Sequence, residues 1–385
     1  MTEAADRLAV QVYLGPRSYE VFIVSGRLAA LAAYLEPWVE SRASGSRRTR
    51  TAFVVTDRNV AALYAAPVRD SLESAGWRCA VHEIEPGEPS KCLGVAAVLY
   101  DRMVEFGADR HTVVFAVGGG VVGDLAGFVA ATFARGVPCV QIPTSLLAMV
   151  DSSVGGKVGV NHPRAKNMIG AFHQPLGVLI DTATIDTLPD REYRAGLAEV
   201  VKYGMILDAE FFEFLEANVA GVNQREPGVL RRIIARSCRL KADVVEQDEH
   251  ERTGLRAALN YGHTFAHALE TLTGYGELLH GEAVSIGMAC AARLAERKRL
   301  IDRAIVERQS RLLERLGLPT ALAPAHAAAV STDAVLAAIR HDKKSVGGRA
   351  TFILPRRIGQ VERFSDIDAE DVRAALDWEP SGPGE

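Results

Sequence analysis

Histidine and glutamate side chains in the second half of the chain have a spacing suited to metal binding. His263 and His267 are four residues apart, so a helix presents both on one face. His280 follows in the string LHGE, and Glu199 is a single carboxylate in the apolar stretch LAEVV. Because borderline divalent metals bind imidazole and carboxylate groups, these side chains predict a metal site. Two hydrogen-bonded core histidines are the alternative, and the lack of an H-E-x-x-H string excludes that type of zinc protease.

A glycine-rich turn, GGGVVGD at 118–124, follows an apolar run and precedes the helical string AGFVAATFA. Glycines there permit a tight turn, and the amides at a helix N-terminus bind pyrophosphate. The turn departs from the standard dinucleotide-binding pattern, because several strands precede it and no acidic residue ends the next strand. We therefore expect a nucleotide at this turn, with a turn made only for close packing as the alternative.

Two earlier polar turns suit the adenosine end of a nucleotide. Asp57 and Asn59 follow one predicted strand, where they can hydrogen-bond ribose hydroxyls, and Glu88 and Lys91 follow the next. Each turn is also typical of an ordinary connection between elements.

The segment 143–167 combines hydroxyl side chains and glycines with Asp151, Lys157 and Lys166. Ammonium groups together with exposed backbone amides form sites for phosphate or carboxylate groups. A long solvated loop is the alternative, but the run LLAMV is too apolar for one. The segment therefore predicts an anion site.

Lysine is rare in this chain. Of 44 basic residues, only these are lysine: Lys91, Lys157, Lys166, Lys202, Lys241, Lys298, Lys343 and Lys344. A compact ammonium group fits anion sites that a planar guanidinium does not. All except Lys298 lie in the motif-bearing segments, and we expect most of them to face a ligand. A codon bias towards arginine is the alternative.

Alternating strand-like and helix-like segments carry these residues in the first half. Apolar runs rich in β-branched residues predict strands at 9–14, 21–24, 52–56, 79–84, 112–117, 139–142 and 178–181. Helical patterns at 61–75 and 96–106 lie between them, and this alternation predicts a Rossmann-like, mostly parallel sheet. The polar and basic stretch 38–50 predicts a surface loop.

After about residue 188 the pattern is mainly helical. Helices are predicted at 191–207, 210–219, 229–247, 257–272, 281–299, 303–316 and 332–339, with one late strand at 350–354. A chain of 385 residues exceeds one ordinary core, so we predict two domains. An α/β nucleotide-binding domain spans 1–185, a helical metal- and substrate-binding domain spans 186–385, and the active site lies in the cleft between them.

Composition excludes several classes of protein. Hydrophobic residues make up 48% and charged residues 24%, which excludes wholesale disorder and fibrous repeats. The net charge of −4 gives no support to a nucleic-acid partner, and no apolar run approaches a membrane span. Five scattered cysteines without a CxxC pair are typical of reduced thiols, so we expect a cytoplasmic protein.

The motifs together resemble those of the 3-dehydroquinate synthases, a family of the sugar phosphate cyclase group. The resemblance covers roughly residues 50 to 362. It is carried by GGGVVGDLAGFVAATFARG, PTSLLAMVDSSVGGKVGVNHPRAKNMIGAFHQP, LAEVVKYG, LKADVVEQDE, LNYGHTFAHALE, LHGEAVSIGM and DKKSVGG. The departures are mild, and one of them is Tyr261, where the family usually has leucine.

The resemblance implies zinc or cobalt on Glu199, His263 and His280, with His267 on the substrate side instead of in the ligand set. It implies an NAD site formed by Asp57, Asn59, Glu88, Lys91, Gly120, Val121, Val122, Gly123, Asp124, Thr144, Ser145, Lys157, Lys166, Thr184, Ile185, Asp186 and Thr187. It implies substrate and catalytic residues at Arg135, Asp151, Lys157, Asn167, Lys202, Lys241, Arg256, Asn260, His267 and one of Lys343 or Lys344. The division of Lys157 and Lys166 between cofactor and substrate stays open.

The implied reaction converts 3-deoxy-D-arabino-heptulosonate 7-phosphate into 3-dehydroquinate and phosphate, a step of the shikimate pathway. NAD⁺ oxidises the C5 hydroxyl transiently, phosphate leaves by elimination, the hydride returns, and the ring opens and closes by an aldol step. The resemblance also implies a homodimer. Three alternatives stay open. The first is another cyclase, which makes a valiolone, an inosose or an aminodehydroquinate. The second is a metal-dependent polyol dehydrogenase such as glycerol dehydrogenase, and the third is an inactive binding protein.

Overall fold

The computed structural model describes residues 7–40, 50–274, 277–324, 330–341 and 350–376. The chain divides into two compact units, of which the first contains Met1–Pro189 together with Leu230–His250. The second contains Asp190–Val229 together with Glu251–Glu385. A single boundary near residue 185 does not describe the segment 230–250, which packs within the first unit. The assignment of nucleotide binding to 1–185 and of metal and substrate binding to 186–385 stays a prediction.

A seven-stranded sheet forms the centre of the first unit. Its strands are β1 (Leu8–Val12), β2 (Tyr19–Val24), β3 (Thr51–Asp57), β4 (Arg78–Ile84), β5 (Val113–Gly118), β6 (Cys139–Pro143) and β9 (Gly177–Asp181). The spatial order is β1-β2-β9-β6-β5-β3-β4, with β1 antiparallel to β2 and every other pair parallel. Each of the predicted strands is present, and the predicted α/β class is confirmed.

Helices cover both faces of this sheet, because alternate residues of its central strands point to opposite sides. Val54 and Phe115 pack in one core with α1 (Leu31–Glu40) and α3 (Ala66–Ser74). Phe53 and Val114 pack in the other core with α4 (Leu93–Glu105) and α5 (Gly120–Thr132). A short helix, α2 (Arg58–Val60), and a π-helical turn (Ala61–Ala65) precede α3. The continuous apolar runs of the sequence are explained by this burial on two sides.

The predicted loop at 38–50 is wrong at its start. Trp38 lies in α1, where it is buried and stacks on Phe22 with ring centroids 5.0 Å apart. A Cβ at Gly177 would lie 2.3 Å from the Trp38 ring, so the glycine makes room for the indole. The sequence does not indicate this contact, because polar residues follow Trp38 and its partners Phe22 and Gly177 are distant in the sequence. Residues 41–49 lie outside the described part of the chain.

The second unit is mainly helical. It contains α6 (Asp190–Leu207), α7 (Ala209–Ala217), α8 (Val219–Asn223), the start of α9 (Pro227–Gln247), α10 (His263–Thr273), α11 (His280–Arg297), α12 (Arg303–Arg315), α13 (Thr332–His341) and α14 (Ala369–Ala375). Strands β10 (Phe352–Arg357) and β11 (Gln360–Phe364) form an antiparallel pair. In the described residues, no helix has both the length and the apolar character to cross a membrane.

The predicted single helix at 257–272 is broken in the structure. A 3-10 turn (Leu255–Asn260) ends before Tyr261, and α10 begins at His263. Between them Gly262 has a φ of +79°, and a Cβ there would lie 2.8 Å from the Met288 backbone nitrogen. The helical periodicity of the sequence runs across this break, which only the packing against α11 imposes. The break makes His263 the first residue of its helix.

A buried carboxylate holds together the loops at one end of the first unit's sheet. Asp181, at the end of β9, accepts hydrogen bonds from the backbone N–H groups of Gly26, Arg27 and Leu28 at 2.6, 2.6 and 2.9 Å. It also accepts one from Ala183 at 3.1 Å. Because the carboxylate satisfies four donors, it fixes both the turn after β2 and the start of the segment 182–187.

We expect Asp181→Asn to lower the free energy of unfolding by about 3 kcal/mol, because one amide oxygen cannot satisfy donors that converge on a charged group. Urea unfolding measures the change. Asp109→Asn is the matched control, since the exposed Asp109 accepts one backbone N–H, from His111 at 2.8 Å, and should cost less than about 1 kcal/mol. Equal stability of Asp181→Asn and the parent chain would show that these four hydrogen bonds do not stabilise the loops.

Candidate functional site

Three side chains from separate helices of the second unit converge on one point. Glu199 lies in the middle of α6 and is 0% exposed, while His263 and His280 are the first residues of α10 and α11. One ligand atom from each lies within 4.8 Å of the others, and His263 Nε2 is 3.7 Å from Glu199 Oε1. His267, the helical neighbour of His263, does not belong to this cluster, and its ring packs edge-on against that of His263. The grouping is the one that the family resemblance implies.

The donor set fits a divalent cation. Both Glu199 oxygens are buried, and neither accepts a hydrogen bond of normal geometry from the described residues. Lys202, one turn further along α6 and 1% exposed, forms an ion pair with this carboxylate. A buried carboxylate needs charge compensation, and two imidazole groups at this distance supply further metal donors. The cluster therefore fits a metal ion better than it fits two ordinary core histidines.

The ring of His263 is oriented by the backbone. Its Nδ1 lies 3.1 Å from the carbonyl oxygen of Tyr261, which leaves Nε2 directed towards Glu199. Tyr261 is itself anchored, because its hydroxyl donates to Gln309 Oε1 at 2.7 Å inside the core. Burial raises the pKa of that hydroxyl, which keeps it a neutral donor. A buried glutamine thus accompanies the tyrosine that replaces the family's usual leucine.

Two predicted substrate residues of the second unit lie on the turn before α10. Asn260 ends the 3-10 turn, and Arg256 within it is 2% exposed, with its Nε 3.7 Å from Glu251 Oε1. An arginine is rarely buried to this extent without a charged partner. The predicted residues Lys343 and Lys344 lie outside the described residues.

In the first unit, a buried lysine joins residues predicted for cofactor and for substrate. Lys91 is 5% exposed, and its ammonium donates to Asp124 Oδ2 at 2.5 Å and to Asn167 Oδ1 at 2.6 Å. Burial raises the pKa of the Asp124 carboxyl, and the ammonium groups of Lys91 and Lys241 oppose that rise. Asn167 has a left-handed φ of +53°, a conformation that asparagine tolerates better than most residues. The arrangement places Asn167 beside the predicted cofactor residues.

Asn161 is a residue of this network that the sequence analysis did not select. Its side-chain amide donates to Glu88 Oε1 at 2.7 Å, and its side-chain oxygen accepts from the Asn167 backbone N–H at 2.9 Å. Lys166 Nζ lies 3.9 Å from the same Glu88 oxygen. Asn161, Lys166 and Asn167 lie on a hairpin, β7 (Lys157–His162) and β8 (Ala165–Phe172), whose first part falls within the predicted anion-binding segment. The sequence does not predict this hairpin, because glycines and lysines interrupt the alternation of apolar and polar residues that is typical of strands.

The glycine-rich turn joins β5 to α5 as predicted, with α5 beginning at Gly120. A Cβ at Gly119 would lie 3.4 Å from Ser145 Oγ, and one at Gly123 would lie 2.9 Å from Gln141 Oε1. Val122 is buried in the core, whereas Val121 is partly exposed. Close packing therefore accounts for Gly123, and the binding of a phosphate at this helix N-terminus stays a prediction.

Two of the predicted substrate lysines, Lys241 and Lys157, occupy different environments. Lys241, from α9, is buried and donates to the Asp151 carboxylate at 2.6 Å and to its backbone oxygen at 2.7 Å. Lys157 is exposed at the start of β7. The glycine turn before it is held by Tyr19, whose hydroxyl accepts the Gly155 N–H at 3.0 Å. This hydrogen bond helps to fix the backbone next to Lys157.

The remaining predicted residues lie on connections of the first unit. Asp57 caps α2 by accepting the Asn59 N–H at 2.9 Å, and the Thr144 N–H donates to Gly118 O at 3.0 Å.

The segment 182–187 follows Asp181 in the sequence. Thr184 and Ile185 are buried, whereas Asp186 and Thr187 are exposed. The Thr187 hydroxyl lies 2.6 Å from that of Tyr64 in the π-helical turn. Arg135 is exposed at a left-handed φ of +67°.

Family models match most of the chain. The 3-dehydroquinate synthase N-terminal model matches residues 81–195, and the 3-dehydroquinate synthase C-terminal model matches residues 196–345. A curated 3-dehydroquinate synthase of Desulforamulus reducens is 50% identical over 367 residues, which cover 95% of this chain and 99% of the relative. The one from Rhodopirellula baltica is 46% identical over 377 residues, 98% of each chain.

Solved structures share the two-part architecture. The 2-epi-5-epi-valiolone synthase of Streptomyces hygroscopicus subsp. jinggangensis, with NAD⁺ and Zn²⁺ bound, is 31% identical with a TM-score of 0.83, covering 96% of this chain and 98% of that one. A 2-deoxy-scyllo-inosose synthase in complex with carbaglucose-6-phosphate, NAD⁺ and Co²⁺ is 25% identical with a TM-score of 0.83, covering 96% and 99%. A probable glycerol dehydrogenase from Sinorhizobium meliloti, 18% identical with a TM-score of 0.57, shares the fold.

Proposed function

Since the chain belongs to the 3-dehydroquinate synthase family, we propose that it converts 3-deoxy-D-arabino-heptulosonate 7-phosphate into 3-dehydroquinate and phosphate. In reaction class this is a phosphorus–oxygen lyase that uses NAD catalytically and requires one divalent metal. The observation that carries the proposal is the meeting of Glu199, His263 and His280, three residues from three helices, around the buried Glu199 carboxylate.

The cofactor proposal combines the relatives with the local geometry. Two structurally similar cyclases hold NAD⁺, one with Zn²⁺ and the other with Co²⁺. In this chain Glu199, His263 and His280 would hold the metal, since their donor atoms lie within 4.8 Å of one another. The glycine turn, the Glu88–Lys91 turn and the segment 182–187 would hold NAD. The second unit therefore supplies the metal ligands and the first unit the nucleotide contacts.

Held by these residues, the metal would provide Lewis acidity at the substrate's C5 hydroxyl, and NAD⁺ would provide a reversible hydride acceptor. The chain's own residues bind and orient a substrate with two anionic ends. Lys157, Arg135 and Lys241 offer cations for the phosphate and the carboxylate, and Lys202 places an ammonium next to Glu199. Because these cationic side chains are already positioned before the substrate reacts, less rearrangement of the protein is needed when charge develops on the substrate.

Phosphate release from the heptulosonate phosphate is the direct test. We expect the purified chain to release many equivalents of phosphate per NAD and to stop when a chelator removes the metal. Stoichiometric accumulation of NADH would instead identify a plain dehydrogenase.

A panel of sugar phosphates separates the proposal from its nearest rivals, because a valiolone or inosose synthase turns over a different substrate. Light scattering tests the homodimer that we also propose.

Lys157→Arg is expected to lower kcat/KM by at least about 100-fold, although the charge is retained. The larger planar guanidinium cannot occupy the place of a single ammonium donor on a rigid turn. Steady-state phosphate release measures the loss. Lys298→Arg is the matched control, because Lys298 pairs with Asp371 at 2.9 Å on the surface and an arginine can do the same. A near-parental rate for Lys157→Arg would refute the role of a compact ammonium.

A further inference from the structure

Helix α10 carries a third polar residue on the face that bears His263 and His267. His267 is at position i+4 and Glu270 at position i+7 from His263, so the three side chains share one stripe of the helix. Glu270 is 5% exposed, and its Oε1 lies 3.3 Å from Nδ1 of His280. The contact joins α10 to the first residue of α11, next to the proposed metal ligands.

A carboxylate is costly at this position without a specific partner. Its neighbours on α10, including Phe265, Ala266, Ala268 and Leu269, are buried and apolar. Burial of a charged group is unfavourable unless hydrogen bonds or opposite charges compensate it. Leucine or methionine at 270 would pack without this cost, and the contact with the His280 imidazole is one interaction that compensates the charge of the glutamate.

The contact decides which nitrogen of His280 is available to a metal. When Nδ1 carries the proton and donates it to Glu270, Nε2 keeps its lone pair and the ring is held in one orientation. His263 has an equivalent support from a different source, the Tyr261 carbonyl oxygen 3.1 Å from its Nδ1. Both histidines of the cluster therefore have an oxygen acceptor behind the ring.

We propose that Glu270 is a positioning residue, which orients His280 for metal binding without binding the metal itself. The inference rests on the metal site of the proposed function. Groups that support metal-bound histidines typically contribute about 10- to 100-fold to metal affinity. Glu270 is outside the sites assigned above, and the sequence signal for it is the H-x₃-H-x₂-E spacing.

The test measures Zn²⁺ affinity of the full-length chain by competition with a chromophoric chelator. We expect Glu270→Ala to bind Zn²⁺ about 10- to 100-fold more weakly. Glu270→Gln retains an acceptor oxygen and should lose less than the alanine variant. Ser285→Ala is the matched control, since Ser285 is a buried residue of α11 whose hydroxyl donates to Pro319 O at 2.7 Å, away from the imidazole. The visible spectrum of the Co²⁺ form reports changed coordination in the same variants.

A loss of fivefold or more in Glu270→Ala, with Ser285→Ala less affected, supports the proposal. If the alanine variant does not fold, the same criterion applies to Glu270→Leu, which fills the buried volume without an acceptor oxygen. A smaller loss, or an equal loss in Ser285→Ala, overturns it. A parent chain that binds no Zn²⁺ would overturn the metal site itself, so failure of the positioning role is distinguishable from failure of the proposed function.

Discussion

Glu199→Gln is expected to abolish phosphate release and to weaken metal binding by more than about 100-fold, beyond the range typical of supporting residues. Glutamine has nearly the same shape, but it offers the metal a neutral amide oxygen instead of a carboxylate. Water cannot take the place of the lost carboxylate ligand, because position 199 is fully buried. Metal content after dialysis and the rate of phosphate release measure the two effects.

The same variant should also be less stable without metal, because it leaves the buried ammonium of Lys202 uncompensated. Loss of one partner of a buried ion pair costs about 3–5 kcal/mol. Adding Lys202→Met removes the second charge, so the double variant should recover most of the stability without recovering metal binding. Metal content equal to that of the parent chain in Glu199→Gln would refute the assignment of this ligand.

Gly281→Ala is expected to lower the free energy of unfolding by about 3 kcal/mol and to disrupt the metal cluster. A Cβ at this position would lie 1.8 Å from Ala195 O and 2.4 Å from Ala195 C, in the backbone of α6. Backbone atoms inside a helix cannot yield as a flexible side chain can, so α11 must move away from α6. Because His280 precedes Gly281, that movement separates His280 from Glu199.

Urea unfolding and Zn²⁺ competition measure this prediction together. Gly228→Ala is the matched control, since a Cβ there meets nothing within 4 Å and its helical backbone favours alanine. That change should stabilise the chain by about 0.5–1 kcal/mol. A Gly281→Ala variant with parental stability and Zn²⁺ affinity would show that α6 and α11 do not need this close approach.

The sheet of the first unit was predictable because its signal is local. Buried parallel strands require continuous apolar runs, and each run predicted as a strand in the first half, from Ala9 to Asp181, forms a strand of the sheet. The hairpin β7–β8 was missed because its glycines and lysines conceal strand alternation. Its pairing depends on a partner strand, so Asn161 and its contact with Glu88 were not predicted.

The metal cluster shows the same division between local and distant information. Residue type and the local apolar pattern indicated Glu199 and a set of histidines, but helical spacing alone paired His263 with His267. The resemblance to a family, not the spacing, exchanged His267 for His280. The supports of the two ligands, Tyr261 O and Glu270, had no local signal strong enough to select them.

The amino-acid sequence alone shows which chemical groups this chain possesses and predicts most of its strands and helices, since composition and periodicity act over a few residues. Which of these groups come into contact depends on the folded structure. The meeting depends on backbone contacts between distant helices, such as Gly281 against Ala195 and Gly262 against Met288. Close packing between helices imposes those contacts, which bring the ligand side chains together and which no local pattern records.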